Sequence, residues 1–208
     1  ARAFLTDQDP QKRRALIDRL LEREEFADYW AMKWGDLLRV KAEFPINLWP
    51  NAAQAYHRWI RTSIKENVPY DRFVREMLTA NGSNFRVGQV NFYRAMQNKT
   101  PEGVAEAVAL SFMGVRADKW PKDKLAGLAA FFSKTRFKPT TEWKEEIVFF
   151  DPRKAADEPG VIGRESLTPE GQPTPTAAAK PMPGPIEAVF PDGERVTIPP
   201  EQDPRVVF

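Results

Sequence analysis

Residues 16–40, LIDRLLEREEFADYWAMKWGDLLRV, decide the fold class. Phe26, Trp30, Trp34, Leu37 and Leu38 recur at spacings of three and four, so a helix carries them on one face while Glu24, Asp28 and Lys33 fall elsewhere. Just upstream, Asp9 before Pro10 reads as an N-cap followed by a first-turn proline. Leu16, Leu20 and Leu21 supply the stripe that this preceding helix is expected to bury.

The same period continues downstream. Ala53, Tyr56, Trp59, Ile60 and Ile64 predict a third helix over 51–64, after a connector that holds Pro45 and Pro50. Pro69, Tyr70 and Asp71 break and recap the chain, and Phe73, Val74, Met77 and Leu78 mark a fourth helix that Asn81 and Gly82 stop. Thr100 and Pro101 cap a fifth, with Val104, Val108, Ser111 and Phe112 as its stripe and Gly114 as its end. Trp120 and Pro121 open a sixth, through Leu125, Leu128, Ala129 and Phe132.

Beyond Pro139 the pattern turns toward strands, first in the apolar run Ile147 to Phe150. Ile186 to Phe190 and Glu194 to Ile198 flank Pro191, Asp192 and Gly193, a hairpin signal. Two strands alone make no stable sheet, so the hairpin must pack on another segment. Of the 19 prolines, 12 follow residue 150. The expected fold is mainly α, with about six helices, a small β-hairpin appendage and a proline-rich loop tail. Residues 1–150 form the helical domain ending in a short strand. Residues 151–208 form an extended tail with a hairpin, leading toward a downstream domain.

Composition excludes several chemistries. Among 208 residues there is no cysteine and one histidine, His57. Without thiolates there is no covalent c-type haem, no iron–sulfur cluster, no cysteine nucleophile and no disulfide. One imidazole cannot build a two- or three-histidine zinc site. Residues 1–150 carry 25 Lys/Arg against 19 Asp/Glu, and residues 151–208 carry 6 against 10. These charges interleave at helical spacing, which is a solvated surface rather than a nucleic-acid face. No run of 18 apolar residues exists, so no membrane insertion is expected.

The candidate ligand-binding loop runs from Asn81 to Arg94, with Asn84, Phe85, Arg86, Asn91, Tyr93 and Arg94 as its chemistry-bearing residues. Its glycines permit tight turns, its Asn and Arg side chains donate, and its rings could stack on a sugar. The bland alternative is that its rings anchor an irregular loop while its polar groups cap free backbone. His57 reads as a surface residue, and Glu22, Glu24, Glu25 and Asp28 as acids favoured near a helix start. Trp30, Trp34 and Trp59 read as core, Trp120 and Trp143 as partly exposed, and Lys144, Glu145 and Glu146 as an exposed strand edge.

The order of four segments carries a resemblance: 16–40 as quoted, WIRTSIKENVPYDRFVREMLTANGSN (59–84), TPEGVAEAVALSFMGVR (100–116) and LAGLAAFF (125–132). Together, over about residues 4–208, the chain resembles the planctomycete-type, cytochrome-associated domain of unknown function, the second module of the PSCyt series. The resemblance implies a larger exported protein of the periplasm or cell surface. Such a protein would have a signal peptide, and often a c-type cytochrome domain, upstream and a second helical domain downstream. Many relatives carry Cys-x-x-Cys-His after the helix matching 100–113. Here the chain runs through Val115, Arg116, Ala117, Asp118 and Lys119 to Trp120, so neither haem nor any other cofactor is expected. The implied role is a non-catalytic structural or binding module whose partners are adjacent domains of the same polypeptide, a carbohydrate or another envelope protein. The alternatives are part of an extracellular polysaccharide-acting enzyme with the 81–94 loop in its cleft, or a protein–protein interaction module marked by an apolar patch around Phe149, Phe150 and the hairpin.

Overall fold

The computed structural model describes residues 2–155, 158, 160–162 and 182–208. Helices take about half of these, in the order α1 (Arg2–Thr6), α2 (Lys12–Leu21), α3 (Glu24–Leu37), α4 (Pro50–Lys65), α5 (Tyr70–Leu78), α6 (Asn91–Arg94), α7 (Pro101–Met113), α8 (Lys122–Ala129) and α9 (Pro204–Val207). The strands are β1 (Gly82–Ser83), β2 (Thr135–Pro139), β3 (Glu146–Phe150), β4 (Ile186–Val189) and β5 (Arg195–Ile198). Much of the proline-rich run, residues 163–181, lies outside the described residues.

Local chemistry sets the helix ends. The Thr100 hydroxyl accepts from the Gly103 N–H at 3.2 Å, Pro101 occupies the first turn, and α7 closes on Gly114 at φ +66°. Asp203 likewise caps α9, accepting from the Arg205 N–H, with Pro204 inside the first turn.

The central packing is α3 on α4 and α7 on α8. On α4 the buried residues are Ala52, Tyr56, Ile60 and Ser63; on α5 they are Phe73, Met77 and Leu78. The face that α3 buries corrects the expectation from its aromatics. Ala27, Ala31 and Gly35, four residues apart, are the buried ones, while Trp30 is 44% exposed and Leu37 points to solvent. Of the expected stripe, Leu38 is buried and Trp34 packs against the core, so it is Trp30 and Leu37 that the fold leaves out. The expected burial of the α2 stripe is also overturned. Helix α2 has no buried residue, and Leu20 and Leu21 are exposed, because no other described element covers that side.

After α8 a short 3-10 turn, Ala130–Phe132, buries Phe131 and Phe132 and leads into β2. Strand β2 was not anticipated, yet its burial alternates, with Thr135 and Phe137 inward. The sheet order is β1-β3-β2, antiparallel throughout, with Phe137 opposite Val148 and Gly82 also opposite Val148 on the other side. Strand β3 is therefore central. The expectation that Lys144, Glu145 and Glu146 form an exposed edge is corrected, since all three are half-buried and Glu146 lies between Pro139 on β2 and Asn84 beyond β1.

The hairpin β4–β5 pairs Ile186 with Ile198 and lays Ala188 and Ile198 into the same core as the helices. Gly127 on α8 makes this contact possible: a Cβ there would stand 2.6 Å from Val189 Cβ. Phe131 stacks obliquely against Phe190 and Phe208, with ring centroids 4.8 and 5.2 Å away. The interaction patch expected around the hairpin is thus occupied by packing; Phe149 and Phe150 are half-buried.

Candidate functional site

The loop after α5 crosses from the helices to the sheet. Asn84 extends the β1–β3 ladder: its N–H donates to Glu146 O at 3.0 Å and its Oδ1 accepts from the Glu146 N–H at 2.9 Å. Asn91 donates from Nδ2 to Asn84 O (2.8 Å) and Gly88 O (3.1 Å), and its Oδ1 finds no partner among the described residues. The Tyr93 hydroxyl donates to Leu78 O at 2.5 Å, and burial pushes this phenol up to about 12. All three residues are fully buried. Phe85 is half-buried against the core, and Arg86 is exposed. Gly88 passes so close to α4 that a Cβ would meet Ala55 O at 2.5 Å. The side chains of Asn84, Asn91 and Tyr93 are therefore spent on backbone groups, which leaves Arg86 and Arg94 as the loop's outward donors.

Arg94 opens on a cleft of about 200 Å³ with Pro139, Trp143, Lys144, Glu145 and Glu146. Its Nε stands 3.2 Å from Glu146 Oε2 as an ion pair, without the alignment of a hydrogen bond. Lys99 Nζ is 2.7 Å from the same oxygen and lies over the Phe137 ring at 4.6 Å. Glu145 accepts from the Ser83 and Thr140 hydroxyls, which hold its carboxyl below the usual carboxylate value. Trp143, as its position near an element end suggested, is 57% exposed, and the Lys144 ammonium sits over its ring. Such a cleft offers an aromatic face and a cation beside two carboxyl groups, a set that can stack and hydrogen-bond a polar ring. The depressed Glu145 value has a stability consequence. The hydroxyl bonds stabilise the fold above the ordinary carboxyl value, and that contribution is lost as pH falls through the lowered one. Glu145→Gln is expected to flatten the acid limb of a Tm-against-pH curve; an unchanged limb refutes the coupling.

A second recess, about 470 Å³, lies where α3, α4 and α5 meet. Its walls are Phe26, Trp30, Trp34, Tyr70 and Phe73, with Ser63 and Asn67 among its polar lining. Trp59 stacks on Phe73 at 4.7 Å behind it. Trp34 and Trp59 pack against the core as expected, whereas Trp30 faces the recess. No sequence signal isolated this groove, because Tyr70 and Asn67 belong to a break between helices whose angle only the fold defines.

The remaining candidates lie on the surface. His57 is exposed beside Gln54 and Arg58. Glu24 and Asp28 pair with Arg61 and Lys65 across the α3–α4 contact, and Glu25 pairs with Arg23. Exposed pairs of this kind are screened by solvent and contribute little to stability. Among the described residues no group of three His, Asp or Glu is placed to hold a metal ion, and no helix is long and apolar enough to cross a membrane.

No curated protein and no solved structure matches the chain. The family model PSCyt2, described as a protein of unknown function (DUF1549), matches residues 1–137, a span that holds all four segments quoted for the resemblance and ends on β2. The chain therefore belongs to PSCyt2, a planctomycete cytochrome-associated domain of unknown function.

Proposed function

We propose that this chain is a non-catalytic structural or binding module of a larger exported protein of the periplasm or cell surface, docking neighbouring domains of the same polypeptide. The observation that carries the reading is the unburied N-terminal arm. Helices α1 and α2 contain no buried residue, and Leu5, Ile17, Leu20 and Leu21 are exposed. By their spacing Ile17, Leu20 and Leu21 share one side of α2, and an uncovered apolar helix face is what an interaction surface offers. The envelope setting rests on the family. The polysaccharide-acting alternative is weaker, since Glu145 and Glu146 are both engaged and Glu145 is shifted away from the protonated form that a general acid needs.

Hydrogen exchange of the amides of Lys12–Leu21 tests the proposal, measured in this chain and in the longer exported polypeptide. The arm is expected to exchange at least about tenfold more slowly in the longer protein, as burial of its stripe predicts. Equal rates in the two proteins would refute docking through this face.

A further inference from the structure

Lys134 and Lys154 are the two buried lysines among the described residues, 5% and 2% exposed. They lie 20 positions apart, and the β2–β3 pairing, with Thr135 opposite Phe150, brings them together. Lys134 Nζ donates to Pro152 O at 3.3 Å and to Lys154 O at 2.5 Å. Lys154 Nζ donates to Ser133 O at 2.5 Å. Each amine thus ties the other's chain segment, and all three acceptors are neutral carbonyls.

Neither amine makes an ion pair with a described residue. The nearby carboxylates, Asp151 and Glu158, are both taken by Arg136. Among the described residues the inner charges are Lys134, Lys154 and Arg136 against Asp151 and Glu158. An ammonium has three donors, so the pair still holds donors unspent. Burying such groups on carbonyls alone is costly unless a counter-ion arrives from outside.

Both lysines border a recess of about 430 Å³. One wall is Ala126, Ala129 and Ala130 at the end of α8; the other is Pro183, Pro185 and Ile186 entering β4. The first turn of α7, with Pro101 and the exposed Glu102, also opens on it. That helix end adds partial positive charge, which Glu102 at the rim offsets in part. The volume falls in the range of small-molecule pockets and is far more than a bare inorganic anion would fill. We propose that this recess binds an organic oxyanion, its acidic head on the Lys134 and Lys154 ammoniums and its apolar body along the alanine and proline walls. The site does not depend on the docking role of the N-terminal arm.

Burial lowers both amines below the usual lysine value, and the Arg136 charge works in the same direction at Lys154. A bound oxyanion favours the charged amines, so binding takes up protons. Affinity is then greatest at low pH, provided the ligand's own acid stays ionised, and falls as pH rises through the lowered amine values.

Calorimetric titration of the chain with benzoate and with inorganic sulfate, in buffer of matched chloride, tests the site. Benzoate is expected to bind saturably at one site and more tightly than sulfate. Lys154→Met is expected to weaken benzoate about tenfold or more. The same variant also removes the donor to Ser133 O, so benzoate affinity rather than Tm alone reads the site. The exposed Lys65→Met change is expected to leave binding unaltered. No saturable heat from either probe, or benzoate binding no tighter than sulfate, overturns the proposal. So does a Lys154→Met protein that loses stability while binding benzoate as before, since that is the signature of a lysine that only caps carbonyls. Should Lys154→Met fail to fold, the wild-type titrations and Lys134→Met decide by the same outcomes.

Discussion

Arg205→Ala is expected to destabilise the chain by about 3–5 kcal/mol, the cost of removing one partner of a buried, hydrogen-bonded ion pair. For a chain of this size that corresponds to a Tm loss on the order of 10 °C. Arg205 is 3% exposed and its guanidinium is shared among four groups from three parts of the chain. It pairs with Asp203 at 2.7 Å, donates to Ala80 O at 3.2 Å and to Asn81 Oδ1 at 2.8 Å, and lies over the Tyr93 ring. Asn81 Oδ1 also accepts from the Phe150 N–H, so the same junction joins the end of α5, the end of β3 and α9. Asp203 keeps some contact with solvent, which places the expected loss toward the lower end of that range. Arg205→Lys should recover only part of it, because an ammonium cannot reproduce the planar fork. Equilibrium urea unfolding measures both; a loss below about 1 kcal/mol for the alanine variant would mean that the junction is not a stabilising latch.

Phe131→Ala is the second large effect, about 3–5 kcal/mol for an aromatic ring removed from a closed core. Phe131 is fully buried and its ring meets both Phe190, at the turn side of the hairpin, and Phe208, next to α9. Phe208 also approaches Phe132 and stacks with Phe190 at 6.3 Å. Deleting Phe131 opens a void between three elements that come from distant parts of the sequence, so the hairpin should loosen before the α3–α4 contact does. Amide exchange in β4 and β5 is expected to accelerate more than exchange in α4. Phe131→Leu, which keeps much of the volume, should cost about 1.5 kcal/mol or less. Uniform acceleration across the chain would instead place Phe131 in a core without this local hierarchy.

Much of the helical body is legible in the sequence because its signals are local. The Thr100–Pro101 start and Gly114 stop of α7 are backbone requirements that neighbouring residues satisfy, and they appear as read. The stripe Phe73, Met77, Leu78 of α5 and the Pro191-Asp192-Gly193 turn of the hairpin are of the same kind. The candidate loop was harder. Asn and Arg among aromatics look alike whether they face a ligand or the backbone. Only the fold shows that Asn84 completes a ladder with Glu146, 62 residues away, and that Arg94 alone of the buried stretch reaches a cleft with carboxylates.

The sequence by itself determined that the chain is largely helical, the start and stop of α7, the hairpin turn, and the absence of thiolate and multi-histidine chemistry; the short helices α1, α6 and α9 and the start of α2 at Lys12 were not in it. It could not determine which face finds a partner. Period 3.6 says that Phe26, Trp30 and Trp34 share a side of α3, and equally that Ala27, Ala31 and Gly35 share another; the tertiary structure fully buried the second and left Trp30 of the first facing a recess. The same holds for Lys134 and Lys154, whose spacing carries no signal at all. A charged side chain is buried only when distant strands close over it, and that cost is decided by non-local packing, not by the residues beside it.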